Sequence, residues 1–447
     1  MVLSPERTIP QVNHSSSELL KEKNPMRSIC LSLLLAAVPL SSALTASAAT
    51  LCVNQAGSQG CYAHIVDAIK AAQPMDTIYV QGGTYAESVT IPKSLTLVGF
   101  GATIEAKGLP RGIFVDGIDY PGLQSVHVHG FTVQDANFEG ILVANASASS
   151  ISNNTVLNNN RLANGVSCVG IDAWEPGEAQ DCGEGIHLLG ADHIIVTANT
   201  VTGNAGGMLI SDDTGPVHHN LVSFNTVKNN PYACGITMAS HPPATLTNSS
   251  KPLGVYNNTI YGNLSEANGF GIGGGAGIGI FDAVDNSSNQ GNVVAANIVT
   301  GNGHPGIALH AHAPDQVLND NTIVGNLSYA NGAETGQVAT PGPAGINVFS
   351  LSPATGNMIS GNIIAGEQDD VVANLPSLLQ VQFNDLLGPN LGVFSGGKNT
   401  IDATGNWWGD CSLAAIGGCS TSSGTGIWSQ PSMPTPVVPL ANLLSLF

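Results

Sequence analysis

The sequence predicts an all-β fold in which short parallel strands stack, coil upon coil, into a β-helix. Glycine accounts for 54 of the 447 residues, charged residues for only 10%, and hydrophobic residues for 43%. That apolar share is large enough for a substantial core. Two short motifs recur along most of the chain, and repetition of this kind is typical of solenoid architectures.

The first motif is an asparagine, any residue, an aliphatic residue, any residue, then glycine or asparagine and usually a second asparagine. Its copies start at Asn154, Asn199, Asn225, Asn258, Asn297, Asn321 and Asn362. The starts are separated by 45, 26, 33, 39, 24 and 41 residues, so the longer intervals are interpreted as the same unit with inserted loops. We expect the asparagine amides of successive coils to stack into a ladder.

The second motif is a glycine followed by alternating aliphatic residues. It occurs at Gly112, Gly140, Gly185, Gly207, Gly235, Gly277, Gly306 and Gly345. Each motif is a short strand whose alternate residues face inward. Glycine and asparagine suit the turns because both tolerate positive φ. A single short strand cannot bury its apolar face, whereas stacking gives every strand a hydrogen-bonded neighbour and a shared core.

Two competing architectures fit the pattern less well. A helical solenoid requires a 3.6-residue apolar period, which few segments show, and the chain is rich in glycine, asparagine and β-branched residues. A β-propeller requires antiparallel blades joined by hairpins, whereas these motifs are single strands between glycines.

Both ends of the solenoid are predicted to carry caps. A short N-terminal helix is indicated by apolar residues on one helical face, namely Ile65, Ala68, Ile69 and Ala72. The first strands are predicted at Thr77–Val80, Ser88–Ile91 and Ser94–Val98. At the other end, Trp407, Trp408 and the Pro-rich tail from Pro431 predict a second cap. Caps of this kind cover strand edges that would otherwise promote aggregation.

Several stretches resemble the pectin-lyase-like superfamily of right-handed parallel β-helices. The segments Tyr79–Tyr85, Val89–Lys93 and Leu97–Gly101 are similar to the opening coils of pectin methylesterases and related secreted proteins. The segment Asn406–Gly409 resembles the closing Asn-aromatic-Trp-Gly motif of many members. The resemblance covers roughly residues 50–430 and implies a single-stranded right-handed solenoid. It implies no one activity, because the superfamily includes lyases, hydrolases, esterases, epimerases, transferases and non-catalytic surface proteins.

The N-terminal residues are predicted to be a targeting segment. Residues 26–48 fit a secretory signal peptide, with Arg27 at its positive end, the apolar run Ile29–Leu40 and the small residues Ala46–Ala48 at the cleavage site. Residues 1–25 are interpreted as an over-extended start. The apolar run is short for a bilayer span, although a membrane anchor is the alternative. We therefore expect a secreted, periplasmic or cell-surface protein with no membrane span.

The remaining chain is predicted to be one β-helix domain over residues 49–430, followed by a tail or cap over residues 431–447, and to be monomeric. Seven cysteines remain after the signal, including the close pairs Cys52/Cys61, Cys168/Cys182 and Cys411/Cys419. In an exported protein this spacing suggests local disulfides. Cys234 is left over and is interpreted as a buried thiol.

The charge balance argues against a nucleic-acid partner. Residues 1–48 hold four of the 12 basic and three of the 31 acidic residues, so the rest of the chain carries a net charge of about −20. Nucleic-acid binding requires lysine and arginine to replace counterions. Between Lys251 and Lys398 there is neither lysine nor arginine, and Arg111 and Arg161 lie in no matching esterase motif. A polysaccharide is the expected partner, and a neutral one fits the charge best.

Candidate catalytic residues follow the glycine-led strands. Aligned on the glycine, they fall into two registers, with Asp212, Ser240 and Asp282 in the first and Asp213, His241 and His312 in the second. His187 lies within its own strand at an outward-facing position. Equivalent positions on successive coils are about 4.8 Å apart, so these side chains are expected to line one groove. Insertions near residues 160–184, 264–276 and 327–344 would form its walls.

The predicted site is a set of carboxylates surrounded by histidines. The catalytic residues are predicted to be Asp212, Asp213 and Asp282, and the substrate contacts His187, His241, His310 and His312. Clustered carboxylates raise one another's pKa, so one acts as acid and another as base. Asp212 and Asp282, two coils or about 9–10 Å apart, are near the upper end of the separation in an inverting glycosidase. The Asp212-Asp213 pair resembles that of polygalacturonases, but the Asn-Thr-Asp, Gly-His-Gly and Arg-Ile-Lys motifs of that family are absent.

Two functional hypotheses remain open. The first is a secreted carbohydrate-active enzyme, most plausibly a glycoside hydrolase rather than a lyase. The second is a non-catalytic extracellular or cell-surface protein that binds glycans or proteins. No cofactor is expected and no metal ligand is assigned, with calcium held by the acidic residues as the alternative. The candidate aspartates also fit turns in which the carboxylate bonds its own backbone. His218 and His219 are interpreted as solvated loop residues.

Overall fold

The computed structural model describes residues 48–160, 170–172, 174–175, 183–240, 253–271, 274–334, 342–409 and 420–438. These residues contain one α-helix, α1 (Ile65–Ala71), and 38 strands numbered in chain order. The first strands are β1 (Thr50–Val53), β2 (Thr77–Tyr85), β3 (Val89–Ile91), β4 (Thr96–Glu105), β5 (Ile113–Asp116), β6 (His127–Gln134), β7 (Ile141–Ala144), β8 (Ser150–Ser152), β9 (Thr155–Leu157), β10 (Glu184–Leu189), β11 (Ile195–Thr197), β12 (Thr200–Thr202), β13 (Gly206–Ser211), β14 (Val217–His218), β15 (Leu221–Ser223), β16 (Thr226–Lys228), β17 (Ile236–Ser240), β18 (Val255–Tyr256) and β19 (Thr259–Tyr261).

The later strands continue the same short pattern. They are β20 (Leu264–Glu266), β21 (Ile278–Asp282), β22 (Ser288–Gln290), β23 (Val293–Ala295), β24 (Ile298–Thr300), β25 (Ile307–Ala311), β26 (Val317–Asn319), β27 (Thr322–Val324), β28 (Leu327–Tyr329), β29 (Ala344–Ser350), β30 (Met358–Ser360), β31 (Ile363–Ala365), β32 (Asp369–Asn374), β33 (Leu378–Gln382), β34 (Asp385–Leu386), β35 (Leu391–Ser395), β36 (Thr400–Asp402), β37 (Thr421–Gly424) and β38 (Ile427–Trp428).

The strands of the described residues form three parallel sheets. Sheet B has 12 strands, in the order β3, β5, β7, β10, β13, β17, β21, β25, β29, β32, β35 and β37, and sheet C consists of β14, β18, β22 and β26. The other 22 strands form sheet A. Each strand pairs in parallel with its equivalent one coil later, as β13 does with β17 and β16 with β20. This is the parallel β-helix that the sequence predicts.

The core is a continuous column of aliphatic side chains inside the coils. In sheet A the middle residue of each three-residue strand is buried, so Val156, Val201 and Val227 stack directly on one another with no exposed surface. Burial of one such side chain contributes about 1.5–3 kcal/mol. Because each coil contributes little alone, stability depends on the stacking of many coils.

The predicted N-terminal helix is confirmed as a cap. Helix α1 buries Ile65, Ala68 and Ile69 and contacts the first strands of the solenoid. His64 provides no side-chain cap, but the buried Glu87 carboxylate accepts hydrogen bonds from the backbone amides of Ile65 and Val66, both at 3.1 Å. These bonds satisfy donors that a helix N-terminus leaves open. No helix of the described residues is both long and apolar enough to cross a membrane.

The Cys52–Cys61 disulfide predicted from the spacing is present, and its Cα atoms are 4.7 Å apart. The pairs Cys168/Cys182 and Cys411/Cys419 lie outside the described residues. Cys234 is a buried thiol, as the sequence predicts. At the C-terminal end, the Asp385 carboxylate accepts hydrogen bonds from the tail amides of Val437 and Val438 at 2.7 and 3.2 Å.

Three asparagine ladders run along the inside of the coils. The longest contains Asn154, Asn199, Asn225, Asn263, Asn297, Asn326, Asn362, Asn384 and Asn406. The second contains Asn159, Asn204, Asn230, Asn268, Asn302, Asn331 and, in the last place, Glu367. The third contains Asn220, Asn258, Asn292, Asn321 and Asn357. Each amide therefore bonds its equivalent one coil later.

The ladder is confirmed, but the motif copies are not all equivalent. Asn225 belongs to the first ladder, whereas Asn258 and Asn321 belong to the third, which runs beside it. Ladder residues recur every five positions within a coil, so the motif alone cannot distinguish neighbouring ladders. Along the first ladder the coils contain 45, 26, 38, 34, 29, 36, 22 and 22 residues, and the shortest is therefore below the 24 residues inferred from the motif starts.

Removing one ladder amide should be costly. Asn225 donates to the Val196 carbonyl and to Asn263 Oδ1, both at 2.9 Å, and accepts from the backbone and side chain of Asn199 at 2.9 and 3.0 Å. Asn225→Ala leaves these groups buried and unpaired, so we expect a loss of about 2–4 kcal/mol in the free energy of unfolding. Denaturant titration measures it. The control Asn137→Ala, outside the ladders, should stay within about 0.5 kcal/mol; equal effects would contradict the ladder's role.

Candidate functional site

Asp212, Ser240 and Asp282 form one column, as their shared register predicts, but the column faces inward. Ser240 is the register partner of Asp282, and its hydroxyl donates to Asp212 Oδ2 at 3.0 Å. All three side chains are fully buried on the strand face that carries core residues such as Ile280. They therefore do not line an open groove. The catalytic assignment of Asp212 and Asp282 stays a prediction, and their position favours a role in the inner corner of the coils.

Asp282 is held in its neutral form by this position. Burial raises the pKa of its carboxyl to about 8, and the negative charge of Asp212 adds to the effect. A hydrogen bond from Asn289 Nδ2 to Asp282 Oδ1, 3.1 Å long, partly offsets the shift. Asp212 and Asp282 nonetheless differ from an acid and a base in water, because burial disfavours the charged form of a carboxyl group.

A different set of polar side chains gathers on the outer face of sheet B, over β5, β7, β10 and β13. We call it the acidic centre; its members are Arg111, Glu139, Asp172, Glu175, His187, Ser211 and Asp213. Apart from Asp172, these residues are almost completely buried. They come from four successive coils and from the insertion that follows β9.

Local sequence places the first column of this centre. Arg111 and Glu139 each directly precede a motif glycine, as does Glu184, which is not part of the centre, and the pairing of β5 with β7 and of β7 with β10 keeps the three residues in register. The motif glycine has no room for a side chain; a Cβ on Gly140 would approach the Gly185 carbonyl oxygen to 2.7 Å. The chain therefore enters the strand at a fixed place, which aligns the residues before the glycines.

Arg111 is bound by three carboxylates. Its Nε donates to Glu139 at 2.7 Å, one terminal nitrogen to Asp172 at 2.7 Å, and the other to Glu175 at 2.6 Å. Burial alone would lower the pKa of Arg111, but the carboxylates outweigh burial and raise it. Each of the three guanidinium nitrogens thus donates to a carboxylate of the protein.

Aromatic rings enclose the same guanidinium. The Arg111 carbon lies 5.4 Å from the centre of the Phe114 ring and 5.2 Å from that of Trp174, and the two rings stack 6.0 Å apart. Trp174 also packs on a small apolar cluster that includes Leu142 and Leu189 on the outer face of sheet B. Packing and cation–π contact together hold the insertion against the sheet.

Glu139 and Glu175 share a proton. They are hydrogen-bonded to each other, and burial together with the charge of Glu175 raises the pKa of Glu139 to about 8 despite the opposing effect of Arg111. Burial also raises the pKa of Glu175, while the bond from Glu139 and the charge of Arg111 lower it. Among the described residues, Glu139 Oε1 and Glu175 Oε1 meet no conventional donor, and a shared proton supplies one. Glu139 therefore holds the proton at neutral pH and Glu175 accepts it.

A chain of close polar contacts leads away from this pair. His187 Nδ1 lies 3.4 Å from Glu175 Oε1, and its Nε2 lies 2.8 Å from the Ser211 hydroxyl. Ser211 in turn donates to the Asp213 carboxylate. Outward-facing His187 is as predicted, since Ile186 beside it lies in the core. The chain links two acidic groups through one imidazole and one hydroxyl, the kind of groups that transfer protons.

His310 and His312 form a second cluster farther along the outer face of sheet B. With His304 and Glu334 they make up the histidine cluster, in which His304 Nδ1 is 3.4 Å from Glu334 Oε2 and the His310 and His312 rings are 5.3 Å apart. Burial and the neighbouring His312 lower the pKa of His310 to about 4. Burial also lowers the pKa of His312. His310 Nε2 bonds Asn347 Oδ1 at 3.0 Å, so this imidazole is neutral and fixed.

The predicted single groove is therefore two separate clusters. Ser211, in the acidic centre, is separated from His310 by Ala239 and Phe281 in the register of sheet B, which is three coils or roughly 14 Å. Asp213 joins His187 in the first cluster, while His312 lies in the second. His241 lies outside the described residues. The roles of these residues stay predictions.

The donor set at the acidic centre fits a cation only in part. Glu139, Glu175 and His187 each offer one ligand atom, and these atoms lie within 4.8 Å of one another. Calcium prefers six to eight oxygen ligands, whereas this set includes an imidazole nitrogen. Arg111 already supplies a positive charge to both glutamates. A calcium requirement remains an untested alternative.

Sequence reasoning missed five members of the acidic centre: Arg111, Glu139, Asp172, Glu175 and Ser211. A signal for two of them was present, because the residue before the motif glycine is charged only in early coils, at Arg111, Glu139 and Glu184, and small or apolar in later ones. The predicted site rested instead on residues that follow each strand. Glu175 carries no such signal, since it lies in an insertion with no periodic register.

The comparisons with known proteins agree with the fold. Residues 111–251, which include every member of the acidic centre, match the family model described as "Right handed beta helix region". The right-handed parallel β-helix that the sequence predicts is therefore confirmed as the fold of the described residues. A search of curated proteins finds no significant match.

Several solved structures are similar at low identity. An alginate lyase from Paenibacillus sp. is 14% identical, with 70% of this chain and 94% of that chain covered and a TM-score of 0.49. The Dettilon tailspike protein is 13% identical, with 79% and 64% covered and a TM-score of 0.49. A GH87 alpha-1,3-glucanase from Streptomyces thermodiastaticus is 16% identical, with 77% and 66% covered and a TM-score of 0.43. These similarities concern the fold and carry no activity to this chain.

The raised pKa of Asp282 predicts how stability depends on pH. The folded state keeps a proton up to about pH 8 that an unfolded carboxyl releases near its ordinary pKa of 3.8, so this contribution is complete below about pH 4 and is lost as the pH rises through 8. Asp282→Asn cannot ionise and keeps the acceptor for Asn289. Its melting temperature relative to wild type should therefore increase by several degrees between pH 4 and 8. The exposed control Asp285→Asn should show no such trend, and a flat difference for Asp282→Asn would refute the assignment.

Proposed function

We propose that the protein is a carbohydrate-active enzyme that hydrolyses a glycan bound along the outer face of sheet B. The observation that supports this most is the convergence of Glu139, Glu175 and His187, from two coils and an insertion, within 4.8 Å of one another. A fold alone needs no such convergence of buried ionisable groups, and perturbed groups of this kind are concentrated at functional sites.

The proposed chemistry is general acid–base catalysis. Glu139 holds a proton at neutral pH and donates it to the oxygen of the leaving sugar. A water molecule adds to the sugar carbon, and its proton passes to a second carboxylate. Glu139 and Glu175 contact each other and are too close to be the two separated carboxylates of a glycosidase, so they act as one proton-donating unit. Asp213, joined to them through Ser211 and His187, is the proposed base.

The electrostatics favour a neutral glycan over an anionic one. The guanidinium of Arg111 already forms ion pairs with Glu139, Asp172 and Glu175, so we do not expect it to pair with a uronate carboxylate. No lysine or arginine occurs between Lys251 and Lys398, the stretch that contains the histidine cluster. An anionic substrate would meet a net negative surface without a compensating cation.

The Cys52–Cys61 disulfide supports a location outside the cytoplasm, because disulfides persist mainly in oxidising compartments. Together with the predicted signal over residues 26–48, it is consistent with a secreted, periplasmic or cell-surface enzyme that meets polysaccharides there.

A second candidate function is non-catalytic glycan binding. The observation that favours it is the burial of the acidic centre: Glu139, His187 and Ser211 have no exposed surface, and Arg111 joins the sheet to the insertion residues Asp172 and Glu175. A network of this kind also fits a purely structural anchor. The two candidates differ in one measurable respect, since only the first predicts product release from a glycan.

Glu139→Gln tests the enzyme directly. Glutamine keeps the size and an acceptor oxygen but cannot donate a proton to the leaving group, so turnover of the active substrate should fall about 10²–10⁴-fold with little change in KM. A panel of plant and bacterial glycans, neutral and acidic, is screened for new reducing ends, and ultraviolet absorbance detects unsaturated products of a lyase. Wild-type turnover should also decline as the pH rises through about 8, where Glu139 loses its proton.

The matched control is Glu367→Gln. Glu367 is equally buried and burial raises its pKa to about 7, but it ends an asparagine ladder inside the coils. Its variant should retain activity, and circular dichroism should show that both variants are folded. Full turnover in Glu139→Gln would rule out the proposed acid. Binding of a glycan by wild type with no product from any member of the panel would support the second candidate, and parallel Asp212→Asn and Asp282→Asn variants test the carboxylates predicted from the sequence.

A further inference from the structure

A separate group of imidazoles lies at the corner of the coils where sheet C begins. We call it the histidine corner; its members are Asp192, His193, His218 and His219. Asp192 forms a parallel bridge to His218 in the next coil, and the His193 amide donates to the His218 carbonyl at 3.2 Å. Two successive coils therefore present an Asp-His and a His-His pair one above the other.

The potential ligand atoms of this corner are close together. His193 Nδ1 is 2.7 Å from Asp192 Oδ2, and His218 Nδ1 is 2.9 Å from His219 Nδ1. Asp192, His193 and His218 each offer one ligand atom, all within 4.8 Å of one another. The His193 side chain is 59% exposed, so an ion can reach the group from solvent.

Neighbouring rings orient the imidazoles. The His193 and His219 rings stack in parallel, 5.2 Å apart and inclined by only 4°. The His218 ring stacks on Tyr256 at 4.8 Å. These contacts restrict the rotation of the three imidazole rings. The entropy lost when an ion binds is therefore smaller than for freely rotating side chains.

The turn itself does not require histidine. His193 and His219 occupy a left-handed position, with φ of 54° and 55°, and histidine tolerates this region better than most residues. The equivalent position in other coils has the same conformation but is occupied by Ser125, Ala148, Asn257 and Gly291. Backbone geometry thus explains a permissive residue there, but not the imidazoles of two successive coils or the carboxylate beside them.

We propose that the histidine corner binds a divalent transition-metal ion of the zinc type, with Asp192, His193 and His218 as ligands and His219 beside them. Imidazole nitrogens and a carboxylate oxygen are the ligands that Zn²⁺ takes in proteins, and the same set excludes a calcium site, which requires many oxygens. The ion joins Asp192 and His193 of one coil to His218 of the next and so stabilises their stacking. The site lies at the corner where sheet C begins, apart from the acidic centre on sheet B, and does not depend on the proposed glycan hydrolysis.

The test uses the full chain without a polyhistidine tag. Purified protein is stripped with a chelator and titrated with zinc chloride by isothermal calorimetry, and its melting temperature is measured with and without zinc. We expect one zinc ion per chain and a higher melting temperature. In His193→Asn, which keeps a residue suited to positive φ, and in His218→Gln, affinity should fall roughly 100-fold or more and the thermal shift should disappear.

Two variants make the result specific. His64→Gln removes a histidine whose side chain is 63% exposed and far along the chain, and it should bind zinc like wild type. Glu139→Gln removes a possible ligand of the acidic centre and should also leave binding unchanged. Absence of zinc binding by wild type would overturn the proposal. Binding that survives the combined His193→Asn and His218→Gln changes, or that is lost in Glu139→Gln, would overturn it as well, because the ion would then sit elsewhere.

Discussion

The structure depends on the in-register stacking of coils that the asparagine ladders enforce. Most ladder amides donate both to the equivalent residue one coil later and to a backbone carbonyl of the preceding coil, as Asn225 does to Asn263 and Val196. These groups are buried, so an offset of even one residue would leave several donors and acceptors unpaired at once. The ladder therefore fixes the vertical position of every coil, and insertions must leave the coil as loops rather than shift it.

Once the register is fixed, alternation along each strand decides which polar residues form a site. Ser211 and Asp213 face outward and join His187, whereas Asp212 between them faces inward and bonds Ser240. The distinction is a single position along the chain. Two adjacent aspartates therefore have different surroundings. Inside the coils the carboxyl group of Asp212 is held by the core, whereas on the outer face that of Asp213 is linked through Ser211 to His187 of another coil.

The fold was predictable from the sequence because the motifs that determine it recur along the chain. Helix α1, the Cys52–Cys61 disulfide and the glycine-led strands follow from local spacing, and the structure has them where the spacing indicates. The ladder assignment failed at Asn258 because residues five positions apart in one coil carry the same motif. At the site, Arg111 and Glu139 were recoverable from the position before the motif glycine. Glu175 was not, because the docking of an insertion depends on tertiary packing, here through Trp174 and the apolar outer face of sheet B.

A raised pKa does not by itself distinguish a site from the core in this protein. Burial raises the pKa of Asp282, Glu367 and Glu139 alike, and the first two belong to the inside of the coils. What differs at Glu139 is the set of neighbouring charges: one guanidinium faces two buried glutamates, with Asp172 half exposed, so ionisation of both glutamates would leave one uncompensated negative charge in a buried place. Retention of one proton between Glu139 and Glu175 removes that excess. A mobile proton is therefore a consequence of the charge balance of the acidic centre and not of burial alone.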